Sequence, residues 1–197
     1  MPPLSPQDEP SIRPHPLALR VIELLRGRPG ATVLDFGTGR GRNAAALRAA
    51  GLAVIAIEDA RAESPDPLQD AGGRFAAGLS THGLLHGTPA ALAKRLQALA
   101  AAIEPGGKLF ATFGSARDAR CGRGKRIDDM TYAPIGGDEN DVPHAFFTRE
   151  PLEQLLGRHF SVESLTEACV DTVAGTWAHH RQPLDAAVHW FVEATRL

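Results

Sequence analysis

The run Asp35-Phe36-Gly37-Thr38-Gly39-Arg40-Gly41 sets a carboxylate before three alternating glycines. Glycine admits positive φ and close backbone approach, so such a turn between a strand and a helix can present main-chain N–H groups to a ligand. Two common uses fail on spacing. A dinucleotide fingerprint counted from Gly37 needs a third glycine where Arg42 stands. A phosphate-binding P-loop needs Gly-Lys followed by Ser or Thr; this loop has no lysine, and Gly107-Lys108 precedes Leu109. The plain alternative is a tight turn with no ligand. What remains is acidic-x-Gly-x-Gly-x-Gly after one apolar run, with a second acid, Glu58, closing the next.

A βαβ unit is needed to place these residues. Leu17, Leu19, Val21, Ile22, Leu24 and Leu25 recur at roughly helical spacing before Gly27, Pro29 and Gly30. Ala31 to Asp35 reads as a buried strand and Asn43 to Ala50 as a helix ended by Gly51. Ala53 to Ile57 reads as a second strand closed by Glu58 and Asp59. Phe75 to Leu79 is a third core strand. Ala90 to Ile103 is a helix with Leu92, Leu96, Leu99 and Ile103 on one face; Pro105-Gly106-Gly107 turns the chain into a strand over Lys108 to Phe113. Thr148 caps a helix through Leu152, Leu155 and Leu156, and Ser161 to Val170 and Ala186 to Thr195 are two closing strands. Residues 114–145, rich in glycine and charge, read as a long loop of the kind that is functional or disordered. Residues 1–14 read as a flexible, proline-rich arm. The expected fold is a Rossmann-like three-layer α/β sandwich, with a mostly parallel sheet and an antiparallel last strand. It forms one domain over 15–197, with a lid-like insertion at 114–145.

The 197 residues suit one domain with a sizeable core, and 43% hydrophobic and 22% charged residues are ordinary for a soluble protein. With a net charge of -2, nothing in the bulk charge suggests nucleic acid or an anionic membrane as the main partner. No apolar stretch is long enough to span a bilayer. The start of the chain lacks the basic and apolar segments of a signal peptide. Cys121 and Cys169 lie far apart without metal spacing. A cytoplasmic protein is expected, with no membrane or nucleic-acid partner.

The glycine loop resembles motif I of the class I S-adenosylmethionine-dependent methyltransferases. Ser80-Thr81-His82 stands where that family ends its fourth strand, and Ile103-Glu104-Pro105-Gly106-Gly107-Lys108-Leu109 is similar to the turn before its fifth. Phe147-Thr148-Arg149-Glu150-Pro151-Leu152 followed by Phe160 resembles its late helix and sixth strand. The likeness spans residues 17–197 as architecture, and the glycine loop is its specific part. It implies S-adenosylmethionine as cofactor and methyl transfer by direct displacement to a small-molecule acceptor. In that reading Asp35 meets the cofactor's ammonium, and Gly37, Thr38, Gly39, Gly41 and Asn43 line its methionine end. Glu58 takes the ribose hydroxyls, and Asp59, Ser80 and Thr81 complete the surface. His82 is the candidate general base, since a neutral imidazole accepts a proton near neutral pH; a hydrogen-bonded structural histidine is the alternative. Tyr132, His144 and Phe146 are candidate walls of an acceptor pocket under the 114–145 segment, which otherwise reads as a solvated loop. His82 and His86 would share one helix face at a spacing of four, but with no third ligand in view no metal is expected.

One departure matters. Asp59 to Arg74 is only 16 residues and contains Ser64-Pro65-Asp66-Pro67. A helix, a strand and another helix do not fit there. The family's third strand should therefore be missing, leaving Ala53 to Ile57 at the sheet edge, covered by the 59–74 segment or by a second subunit in a homodimer. This shortening motivates two rival readings. One is a non-catalytic binder of S-adenosylmethionine or its demethylated product; the other is a fold relative that has lost the cofactor.

Overall fold

The computed structural model describes residues 13–58, 68, 75–137, 139–170, 173 and 186–197. Helix α1 (Pro16–Leu24) begins where proline fits a first turn, and His15 caps it by accepting the Leu17 N–H at Nδ1, 3.1 Å away. Strand β1 (Thr32–Phe36) buries Val33, Leu34 and Phe36 around Asp35, as a strand covered on both faces requires. Its alternation feeds two layers. Val33 joins the cluster of Leu17, Val21 and Leu47, while Leu34 and Phe36 join the cluster of Leu92, Leu96 and Leu152. Gly41, at φ +77°, leads into α2 (Arg42–Ala49), and β2 (Ala53–Ile57) returns parallel to β1 from Thr32↔Ala53 to Phe36↔Ile57.

Strand β3 (Phe75–Ser80) is wholly buried and ends in a single 3₁₀ turn, Gly83–Leu85. Helix α3 (Pro89–Ala102), capped by Thr88, presents Leu92, Leu96 and Leu99 to the core. Then follow β4 (Ile103–Ser115), β5 (Lys125–Arg126), β6 (Thr131–Ala133), β7 (His144–Phe147), α4 (Arg149–Leu156), β8 (Phe160–Cys169) and β9 (Val188–Arg196). The main sheet runs β2-β1-β3-β4-β9-β8, and β9 is antiparallel to both of its neighbours. The expected three-layer architecture and antiparallel last strand are what the structure shows.

Strand β3 stops pairing with β4 at Ser80↔Ala111. Beyond it, Gly114 pairs with His189 of β9 on one side and with Phe146 of β7 on the other. Strand β7 therefore takes over the edge that β3 vacates, and residues 81–86 turn out of the sheet against it. This places the carboxyl ends of β1, β3 and β4 beside the β5–β6–β7 meander, where open α/β sheets bind ligands.

Three expectations change. The segment 114–145 is not a structureless loop, because it carries β5, β6 and the start of β7; strands of two to four residues are too short to show a period in sequence. Strand β4 starts at Ile103 rather than Lys108. The Pro105-Gly106-Gly107 turn is absorbed as a bulge between Phe75↔Ile103 and Ala77↔Lys108, with Gly106 at φ +75°. His82 and His86 do not share a helix face: His82 precedes the 3₁₀ turn at φ +71° and His86 follows it in extended backbone. Among the described residues β2 lies at the sheet edge. The rest of the question about the third strand, with Asp59, falls outside the described residues, as do residues 1–12 of the arm. No helix among the described residues is long and apolar enough to cross a membrane.

Candidate active site

Gly37, Gly39 and Gly41 adopt φ of +74°, +53° and +77°, values that a side chain would strain. The Gly37 and Thr38 N–H groups donate to Ile57 O at 2.8 and 3.0 Å, which locks the loop onto the end of β2. Sequence reasoning assigned loop N–H groups to a ligand; these two are already used, so the open part of the cradle is around Gly39. A Cβ built there meets nothing within 4 Å.

Asp35 is almost wholly buried at the end of β1. Its Oδ2 accepts from the Thr38 hydroxyl at 2.7 Å, while Oδ1 has no hydrogen-bond partner among the described residues. Burial raises its pKa, outweighing the hydrogen bonds from Thr38 and the Ala44 N–H and the more distant Arg48 and Arg42. A buried carboxylate oxygen left unmatched beside a glycine cradle is suited to a cationic ligand group.

The neighbouring expected residues mostly brace this cradle. Asn43 accepts the His15 N–H at Oδ1 (2.9 Å) and donates to Thr81 Oγ1 (2.8 Å), tying the starts of α1 and α2 to the end of β3. Both ends of its amide are therefore spent on the scaffold. Ser80 is fully buried; Gly83 packs so closely that a Cβ there would lie 2.8 Å from Ser80 Oγ and 2.9 Å from Phe36 O. Glu58 is exposed at the end of β2.

His82 holds a left-handed backbone rare for its type, secured by its N–H donating to Thr112 Oγ1 at 2.9 Å. Its ring lies edge-on to His189 at 5.4 Å and to His15 at 6.0 Å. Behind His189 stands an ion pair. Arg120 donates to Asp118 at 2.8 and 3.0 Å and to His189 Nε2 at 3.1 Å, and Asp118 also accepts the Val188 N–H at 2.8 Å. Burial first, and then the cationic Arg42 and Arg120 respectively, push His15 and His189 down to about 3. Both flanking rings are therefore neutral near neutral pH.

These two histidines fix a pH dependence. Unfolded, each titrates at its ordinary value of 6.5; folded, at about 3, so the unfolded chain binds more protons between those values. Their contribution is intact above pH 6.5 and is lost as pH falls towards 3, by up to about 1.4 kcal/mol per unit per histidine. Melts from pH 7 to 4 should drop less steeply in His189→Gln than in the parent; identical slopes would show that His189 is not buried neutral.

Tyr132, His144 and Phe146 do come together. Tyr132 pairs with His144 across β6 and β7, and the Phe146 ring lies 6.3 Å from Tyr132 and 6.5 Å from His144. His144 also bridges to His86, with their rings 4.8 Å apart.

Residues 11–160 match the family described as the methyltransferase domain. The chain belongs to that family. Membership bears out the resemblance to class I S-adenosylmethionine-dependent methyltransferases and makes the protein an enzyme of that type. No curated protein matches the chain. Solved structures share the methyltransferase's fold at low identity. Burkholderia thailandensis 1,6-didemethyltoxoflavin-N1-methyltransferase, solved with S-adenosylhomocysteine, is 19% identical with a TM-score of 0.60, over 92% of this chain and 78% of that one. A Methanosarcina mazei S-adenosylmethionine-dependent methyltransferase is 16% identical with a TM-score of 0.63, over 85% and 93%. Magnesium protoporphyrin IX methyltransferase from Synechocystis PCC 6803, with bound S-adenosylmethionine, is 15% identical with a TM-score of 0.57, over 91% and 78%.

Sequence reasoning about this methyltransferase missed the parts played by His15, Asp118, Arg120 and His189. His189 sits at a buried position of β9, and no local signal separates it from an ordinary strand residue.

Proposed function

We propose that the chain transfers a methyl group from S-adenosylmethionine to a small-molecule acceptor by direct displacement. The observation that carries the reading is the buried, unmatched Oδ1 of Asp35 beside the glycine loop, at the carboxyl edge of the sheet. When bound, the cofactor supplies an electrophilic methyl on a sulfonium. Asp35 accepts from its ammonium, the open backbone around Gly39 faces its carboxylate, and Glu58 accepts from the ribose hydroxyls. The acceptor lies against Tyr132, Phe146 and His144, with the 114–145 segment as its cover. His82 Nε2 or Nδ1 takes the acceptor's proton where the nucleophilic atom carries one, and its neutral neighbours add no positive charge to oppose that step. A small acceptor is supported by a net charge of -2, which gives no bulk attraction for nucleic acid. The substrates in the names of two structural relatives, a didemethyltoxoflavin and a magnesium porphyrin, are also small molecules. Widely spaced cysteines support a reducing, cytoplasmic setting.

Calorimetry with S-adenosylmethionine and S-adenosylhomocysteine tests the site. Gly39→Val places a branched side chain at φ +53°, and Glu58→Ala removes the acceptor for the ribose. Each should weaken cofactor binding by about tenfold or more, the worth of a lost hydrogen bond to a charged group. His82→Gln should leave that affinity unchanged while slowing methyl transfer about 100-fold. Parent-like cofactor binding by both Gly39→Val and Glu58→Ala would place the cofactor elsewhere.

A further inference from the structure

Three side chains with metal-binding atoms meet at the sheet edge where β7 lies beside β4. His86 Nε2 lies 3.2 Å from Glu139 Oε1, and His144 Nε2 lies 3.2 Å from Glu139 Oε2. The three candidate ligand atoms all fall within 4.8 Å of one another. Main chain fixes two of the residues. His86 and His144 form an antiparallel bridge, the Gly87 N–H donates to Pro143 O at 2.7 Å, and Arg95 donates to the His86 carbonyl. Glu139 is carried on a turn held by the Gly136 N–H on Asn140 Oδ1 (2.6 Å) and the Asp141 N–H on Pro134 O (2.9 Å).

The tautomer of His144 follows from its surroundings. Nδ1 lies 2.8 Å from the Val142 carbonyl oxygen, which can only accept, so Nδ1 carries the proton. A ring protonated at Nδ1 alone presents the lone pair of Nε2 beside the Glu139 carboxylate. That nitrogen is buried and completes no hydrogen bond among the described residues. A glutamate carboxyl is ionised near neutral pH. A lone pair next to a carboxylate is repelled unless a proton or a metal ion stands between them. Donation from Nδ1 to a backbone carbonyl is also how proteins orient a histidine that binds metal through Nε2.

We propose that His86, Glu139 and His144 form a binding site for a first-row divalent transition ion, with Zn2+ as its representative. Two imidazoles and a carboxylate suit zinc, iron or nickel; Mg2+ and Ca2+ prefer all-oxygen ligands. Zinc bonds of about 2.0–2.2 Å require the cluster to contract around the ion. Three protein ligands leave a fourth position for water or an incoming oxygen or nitrogen. The Phe146 ring lies 6.5 Å from the His144 ring, and an ion here would act as a Lewis acid that lowers the acceptor's pKa. That last role rests on the acceptor surface proposed above, whereas the ion site does not. Sequence spacing had paired His86 with His82; the fold pairs it with His144 and adds Glu139.

The test uses the full chain after chelator treatment, titrated with Zn2+ at neutral pH by calorimetry. The expected result is one equivalent bound. A hundredfold excess of Zn2+ over Kd should raise the melting midpoint by about 5 °C or more. Co2+ should give the visible bands of a four-coordinate centre, and Mg2+ neither effect. His86→Gln and Glu139→Gln should each lose at least about tenfold in Zn2+ affinity. Titrating the same variants with S-adenosylmethionine separates loss of the metal from loss of fold, and from failure of the cofactor reading. No uptake of Zn2+ by the parent, or uptake retained in both variants, overturns the proposal.

Discussion

Asp35→Asn is expected to weaken S-adenosylmethionine binding by about 100-fold, while the ligand-free protein melts no lower than the parent. The two halves of this result have one cause. Asp35 is 1% exposed, and its Oδ1 has no partner among the described residues. A carboxyl whose pKa is raised on folding binds protons more tightly folded than unfolded, so at neutral pH its ionised form costs stability. Asparagine keeps the volume and an oxygen for the Thr38 hydroxyl but removes the charge. The ligand-free state loses nothing it needs, whereas the bound state loses a charge-assisted hydrogen bond to the cofactor's ammonium. Calorimetry and thermal melts on the same samples read both quantities. Affinity within twofold of the parent would show that the ammonium is not held by Asp35. A large drop in melting temperature without ligand would instead make Asp35 a structural residue.

Asp118→Ala should be the most destabilising single change at the site, costing about 3–5 kcal/mol. Its side chain is wholly buried and satisfies four donors: the Arg120 side chain twice, the Arg120 N–H and the Val188 N–H. Burial alone would raise its pKa, but the Arg120 guanidinium and the two backbone N–H groups reverse this and bring it below the ordinary value. Removing the carboxylate strands the mostly buried Arg120 cation beside His189, which burial already keeps neutral. The same carboxylate pins the start of β9 to the segment after β4, so that connection loosens as well. The melting midpoint should fall by roughly 6–20 °C. Arg120→Ala alone should also be costly. The double substitution should cost clearly less than the sum of the singles, because the stranded cation is then gone. Simple additivity, or a loss below about 1 kcal/mol for Asp118→Ala, would reduce the pair to a solvated surface contact.

The sequence by itself determined the sheet and the location of the cradle. Apolar runs such as Thr32–Phe36 and Ala53–Ile57, and glycines that must take positive φ at 37, 39 and 41, act over a few residues, so their consequences can be read locally. The family likeness rested on the same local features. What the loop does with its N–H groups was not legible. Ile57 O takes two of them only because β2 returns in parallel register beside β1. The short strands β5 and β6 were missed because two or three residues carry no period. Tertiary structure alone decided the histidine environment. His82 meets His189 because β9 inserts beside β4, and His86 meets His144 because β7 takes the place beside β4 that β3 leaves. These partners are more than fifty positions apart in the chain. A histidine's protonation and ligand capacity depend on burial and on neighbours brought in from such distances, and no local pattern of residue types encodes them.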